Sequence, residues 1–164
     1  MAETVIPEGP APQTPQTRRQ RIDYGRSVLD AVDGEVGQRV VRSLEDVSPV
    51  LAEQVMIGFA EIYARPQLGP RDRQLVTLGM LAALGGCDPQ LEVHVNASLN
   101  VGLTPQEIVE ALLHSSAYCG FPRAINATFV AKRVFAERGL LPVGGGDPAG
   151  DGQETKTPAP SGTV

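Results

Sequence analysis

Apolar residues along this chain recur at helical spacing, in segments punctuated by proline and glycine, and strand-like alternation is missing throughout. From 18 to 32, Ile22, Val28, Leu29 and Val32 fall near one face, and Asp33-Gly34 reads as the stop. A short second helix is expected over 36–44. Ser48-Pro49 reads as an N-cap followed by proline at the first helical position. The helix it opens places Leu51, Val55, Phe59 and Ile62 on one face and stops before Pro66. Gly69-Pro70 opens the next, with Leu75, Leu78, Leu81 and Ala82 inward and Gly85-Gly86 as its end. Asp88-Pro89 caps another, with Leu91, Val95 and Leu99 at i, i+4 and i+8, closed by Gly102. Thr104-Pro105-Gln106-Glu107 has the form of a capping box, and its helix runs to about Tyr118. Pro122 opens a last helix that ends at Gly139. The pattern predicts an all-α fold, a compact bundle of about six helices in one domain over 18–141. Residues 1–17 hold four prolines and no periodic apolar pattern. Residues 142–164 are mostly small and polar, so both ends are expected to be disordered tails.

Composition narrows this picture. The chain has 164 residues, 41 % apolar and 20 % charged, which suits one domain with a real core. Aromatics make up 4 % and tryptophan is absent, so the core must come from Leu, Val, Ile and Ala. A net charge of −5 argues against a nucleic-acid surface. No apolar run approaches the ~18 residues of a membrane span, and no secretory h-region is visible at the N-terminus. A cytoplasmic location is the expectation. The two cysteines, Cys87 and Cys119, are too few for a disulfide scaffold. With two histidines and no zinc-type spacing, no metal is expected. No strand precedes a Gly-rich phosphate loop, so no nucleotide cofactor is expected either.

Several side chains are candidates for chemistry. His94 sits mid-helix on a mixed face with Gln90, Leu91, Ala97 and Ser98, where it suits general acid or base work. It equally suits a buried histidine bonded to a carbonyl or to Ser98. Glu92 lies about 200° around the helix from His94, so on one helix the two cannot meet. Glu92 then serves a site only across a subunit boundary, or else is simply solvated. Cys119 follows Tyr118 at a helix C-terminus, where the dipole opposes a thiolate. Cys87 precedes a helix N-terminus, where a thiolate is favoured. Both also fit as small apolar filler. Arg73 suits bidentate binding of a carboxylate, or a surface ion pair with a nearby acid. Glu110, His114 and Tyr118 share a face at i, i+4 and i+8, the usual look of an exposed pair with an edge aromatic.

Several segments together resemble the carboxymuconolactone decarboxylase family over 21–137. They are Tyr24-Gly25, Arg65-Pro66-x-Leu68, Arg73-x-Leu75-Val76-Thr77, Leu91-x-x-His94, Asn100-x-Gly102-Leu103-Thr104 and Glu107-Ile108-x-Glu110. The most specific block is Tyr118-Cys119-Gly120-x-Pro122 with Asn126-Ala127-Thr128-Phe129. The likeness is to the decarboxylase branch rather than the alkylhydroperoxidase branch, whose pattern is Cys-x-x-Cys-x-x-x-His. Here Cys87 and His94 stand at that spacing, but Gln90 replaces the second cysteine, so a local disulfide cycle is not available. The resemblance implies an all-α homo-oligomer, a trimer or hexamer, with sites near subunit boundaries. It also implies cofactor-free loss of CO2 from 4-carboxymuconolactone to give an enol-lactone. On that basis His94 is the expected acid, Arg73 the carboxylate clamp and Glu92 an orienting or relay group. Tyr118 and Cys119 are then pocket donors, with Asn126 beside the substrate. Leu29 and Asp30 stand near where the family carries paired arginines. Phe59 and Tyr63 replace its tryptophans, and Gln67 replaces a turn glycine. These departures point to a different lactone or unsaturated acid as an alternative substrate. The residues are also compatible with a thiol-dependent peroxidase-like protein or a non-catalytic oligomeric binding protein.

Overall fold

The computed structural model describes residues 4–9 and 16–144. Among these the chain forms six α-helices and one π-helical turn, with no strand. The helices are α1 (Arg18–Glu45), α2 (Pro49–Gly58), α3 (Pro70–Leu84), α4 (Asp88–Asn100), α5 (Pro105–Cys119) and α6 (Phe121–Glu137). The π turn, Phe59–Tyr63, continues α2 directly. None of the described helices is long and apolar enough to cross a membrane.

Local chemistry sets most of the helix starts. Thr104 accepts from the Glu107 backbone N–H while the Glu107 carboxylate accepts from the Thr104 backbone N–H, closing the expected capping box. A second box, Thr17 with Gln20, starts α1 at the edge of a segment whose composition predicts a tail. Ser48 and Asp88 do not cap as expected. Ser48 makes no side-chain cap bond, and the N-cap of α4 is Cys87, so proline at the first turn opens both helices.

Two apolar clusters make the core. One joins α3, α4, α5 and α6 through Leu78, Val95, Ile108, Leu112, Val130 and Phe135. The other joins α1, α2 and the π turn through Val28, Leu29, Val41, Met56 and Phe59. Helix α4 packs against α1, α3 and α6, so it runs along the seam between the clusters.

Three details depart from what the sequence pattern predicts. Asp33-Gly34 is not a stop: α1 continues past it to Glu45, with a kink at Gly34 (φ 60°, ψ −146°), a region open only to glycine. In α2 and the π turn, Leu51 and Ile62 face solvent while Ala52, Met56, Ile57 and Phe59 are buried. Phe59 and the half-buried Val55 lie on the inner face as expected, and that face extends to Ala52 and Met56 rather than to Leu51 and Ile62. At the ends, Ile6 packs on the second cluster and the Tyr24 hydroxyl donates to the Pro7 carbonyl at 3.1 Å. Val143 packs on the first cluster. The remainder of the two expected tails, 1–3, 10–15 and 145–164, lies outside the described residues.

Candidate active site

The kink in α1 and the middle of α4 face one another across a cavity of about 230 Å³. Leu29, Val40, Val55, Phe59 and Val93 give it apolar walls, and Asp33 and His94 are the titratable side chains on them. Asp33 is 4 % exposed, and its Oδ1 has no hydrogen-bond partner among the described residues. Burial pushes its carboxyl up to about 7 from an ordinary 3.8. Burial also pulls the His94 imidazole down to about 4 from 6.5.

His94 is held from behind. Its Nδ1 lies 3.0 Å from Oε1 of Gln74, a fully buried residue of α3. An amide oxygen only accepts, so in this arrangement Nδ1 carries the proton and Nε2 the lone pair. Next to this pair, Tyr63 stacks on Phe59 with ring centroids 4.4 Å apart, and its hydroxyl is 3.5 Å from Thr77 Oγ1. Burial raises the Tyr63 phenol, the Thr77 hydrogen bond lowers it, and the nearby charges of Asp33 and Arg73 act in opposite senses. The short π segment thus puts the Phe59 ring on the cavity wall with Tyr63 stacked against it.

The remaining candidates lie elsewhere on the subunit. The Arg73 guanidinium donates to the backbone carbonyls of Arg65 (3.0 Å) and Leu68 (3.1 Å), holding the loop before α3. Glu92 faces away from His94 and lies 4.0 Å from Arg133 of α6. Tyr118 is 83 % exposed and lines, with His114 and Glu110, an apolar groove of about 770 Å³ between α3 and α5. Cys119 and Cys87 are free thiols, and Asn126 is exposed on α6. Of the expected site residues, one subunit places only His94 in the α1–α4 cavity. Asp33 and Gln74 were not among the expected residues. Each sits at a core-stripe position, Asp33 after Leu29 and Gln74 before Leu78 and Ala82, and a polar residue on such a stripe is the signal that marks them.

A model of the carboxymuconolactone decarboxylase family matches residues 49–133. A 4-carboxymuconolactone decarboxylase of Acinetobacter baylyi is 37 % identical over 127 residues, covering 75 % of this chain and 92 % of the relative. The chain belongs to the carboxymuconolactone decarboxylase family. A second relative, a nitrosuccinic acid decarboxylase of Metarhizium robertsii, is 36 % identical over 123 residues, covering 73 % of this chain and 84 % of that protein. Both relatives are decarboxylases, and the chain is a carboxy-lyase by the same membership. Among the described residues no group of three or more His, Cys, Asp or Glu side chains comes together that would hold a metal ion.

The two buried groups make opposite contributions to stability with pH. For Asp33 the folded value lies above the unfolded one, so stability is full below about 3.8 and is lost as pH rises towards 7. For His94 the folded value lies below the unfolded one, so stability is lost as pH falls from 6.5 towards 4. Asp33→Asn removes the first loss only. Thermal melts should show the variant more stable than the wild type at pH 8, with the gap narrowing as pH falls and closing only below about 3.8. A gap independent of pH would show that the Asp33 carboxyl does not titrate in the fold.

Proposed function

We propose that this protein is a cofactor-free decarboxylase of a small acid whose departing carboxylate stands beside an electron sink, with the α1–α4 cavity as its site. The observation that carries this reading is the pair Asp33 and His94 on the wall of an otherwise apolar cavity. The relatives' substrates share the required chemistry. In 4-carboxymuconolactone the electrons left by CO2 flow through a double bond into the lactone carbonyl. In nitrosuccinate they flow into the nitro group. Either way negative charge builds on an oxygen, and a donor placed there lowers the barrier. The apolar wall of Leu29, Val55, Phe59 and Val93 favours loss of the carboxylate as neutral CO2.

No lysine or arginine lines the cavity among the described residues. The substrate anion therefore raises the His94 imidazole by its own charge, and the ring becomes the positive donor at the developing oxyanion. Tyr118, Cys119, Asn126 and Glu92 reach this chemistry only from a neighbouring subunit, and the Arg73 guanidinium is engaged by the Arg65 and Leu68 carbonyls.

A homo-oligomer, a trimer or hexamer as the family resemblance implies, fits the surface. Val76 and Met80 of α3, Leu113 and Tyr118 of α5, and Phe121 and Phe129 of α6 are all exposed. Exposed large apolar side chains gathered on neighbouring helices are the kind of surface that marks an interface. Light scattering at micromolar concentration should give a mass several times that of one chain, and a monomer mass would contradict it.

The activity itself is tested by CO2 release from 4-carboxymuconolactone, from nitrosuccinate and from succinate, which lacks a sink. Release from one or both of the first two and none from succinate is expected. No release from either sink-bearing acid would overturn the proposal.

A further inference from the structure

We propose that Asp33 is the proton donor of this site, delivering its carboxyl proton to the carbon next to the electron sink: the carbon beside the lactone carbonyl, or the carbon that bears the nitro group. The inference rests on the decarboxylase reading above. The placement of Asp33 is built by several independent features. It is the last residue before the Gly34 kink, where helical geometry is interrupted. The kink frees the Asp33 backbone carbonyl, which accepts from Asn100 Nδ2 at 3.2 Å. Asn100 Oδ1 in turn accepts from Arg138 at 3.2 Å, tying the kink to α4 and to the end of α6. Space for the side chain is kept by Gly37 one turn on: a Cβ there would lie 2.5 Å from Asp33 Cβ and 3.2 Å from Oδ2. A carboxyl that is 4 % exposed, on a cavity wall and with one oxygen unpartnered, has no structural bond to explain it.

The surroundings keep the proton on Asp33. On the cavity wall, α4 offers His94, while α2 and the π turn offer the apolar Val55 and Phe59; the Tyr63 phenol, stacked on Phe59, is a further titratable group near Asp33. From α3, Gln74 is neutral and engaged with His94, and the Arg73 guanidinium is engaged by two carbonyls. No cation therefore pairs with the carboxyl, and burial favours its acid form. Of the two titratable groups on the wall, Asp33 in its acid form has a proton free to give before substrate arrives, whereas the His94 Nδ1 proton is engaged by Gln74.

The step balances. The C–C bond to the carboxylate breaks and CO2 leaves without the bonding pair, which passes into the lactone or nitro sink. The pair returns from the sink to form a C–H bond with the Asp33 proton, at the carbon beside the lactone carbonyl or at the carbon that bears the nitro group. Asp33 is left as carboxylate and is reloaded from solvent, so the net reaction consumes one carboxylate and one solvent proton and gives CO2 and the C–H product.

The test uses whichever of 4-carboxymuconolactone and nitrosuccinate the wild type decarboxylates. Asp33→Asn should lower kcat by at least ~10²-fold, the scale of a positioned acid, with KM changed far less. Acetic acid should partly restore the rate of Asp33→Ala, by occupying the space left. In the wild type, kcat/KM should fall on the alkaline side as the donor ionises, on top of the decline that the need for His94 protonation imposes, and Asp33→Asn should keep only the latter, shallower fall. An Asp33→Asn enzyme with wild-type kcat and an unchanged alkaline limb would overturn the assignment while leaving the decarboxylase reading in place. If neither variant folds, the wild-type profile alone decides, and a rate that stays flat through the alkaline range overturns it. Absence of CO2 release from the wild type is the separate failure of the underlying reading.

Discussion

His94→Gln lowers kcat/KM by at least about 10²-fold while the protein keeps its fold, the loss expected when a donor to a developing oxyanion is removed. Glutamine is a sound helix former and retains a hydrogen-bonding amide next to Gln74. It cannot become positively charged when the anion binds, and that charge is what the cavity lacks. A purely structural His94 gives the reverse result, a lower melting temperature with unchanged turnover per folded molecule. Both quantities are measured on one preparation, so the two roles separate cleanly. Wild-type turnover in a well-folded variant would remove His94 from the chemistry and leave the α3–α5 groove, with Tyr118 and His114, as the competing location.

The second large effect is on stability and comes from a glycine. Gly25 of α1 meets α2 so closely that a Cβ would lie 1.8 Å from the Met56 carbonyl oxygen and 2.6 Å from its carbon. These are backbone atoms and cannot rotate away, so Gly25→Ala forces the two helices apart. The expected cost is about 3 kcal/mol, at the upper end for overpacking. For a domain of this size that lowers the melting temperature by roughly 10 °C. Val28 and Met56, buried beside the contact, lose packing when the helices separate. A melting temperature within a degree or two of wild type would show that α1 and α2 slide without cost.

The sequence makes some of this legible and hides the rest for physical reasons. Helix starts are readable where side-chain chemistry is local, as in the Thr104–Glu107 box and the prolines that open α2, α3 and α4. His94 is readable as a candidate because a polar ring on a mixed helical face stands out. Asp33 is not, because Asp-Gly is a strong turn signal and reads as the end of a helix. Only the packing of α1 against α4 shows that the helix resumes and that the aspartate is enclosed. Gln74 is hidden by similar means, since its partner His94 is 20 residues away and on another helix. The departures from the expected stripe are Leu51 and Ile62, apolar side chains that one subunit leaves in water. Periodicity cannot tell a face that meets its own core from one that meets a neighbouring subunit.

The protein has two histidines, and each lines a different cavity: His94 the α1–α4 cavity and His114 the α3–α5 groove. Nitrogen-15 NMR of the two imidazoles therefore reports directly on where the ligand binds, with His114→Gln used to assign the signals. The ligand is the decarboxylated product of whichever acid the enzyme turns over. At saturation the His94 signals should move from the neutral towards the protonated form while those of His114 stay in place. Movement of His114 with His94 unchanged would contradict a site between α1 and α4 and relocate it to the groove.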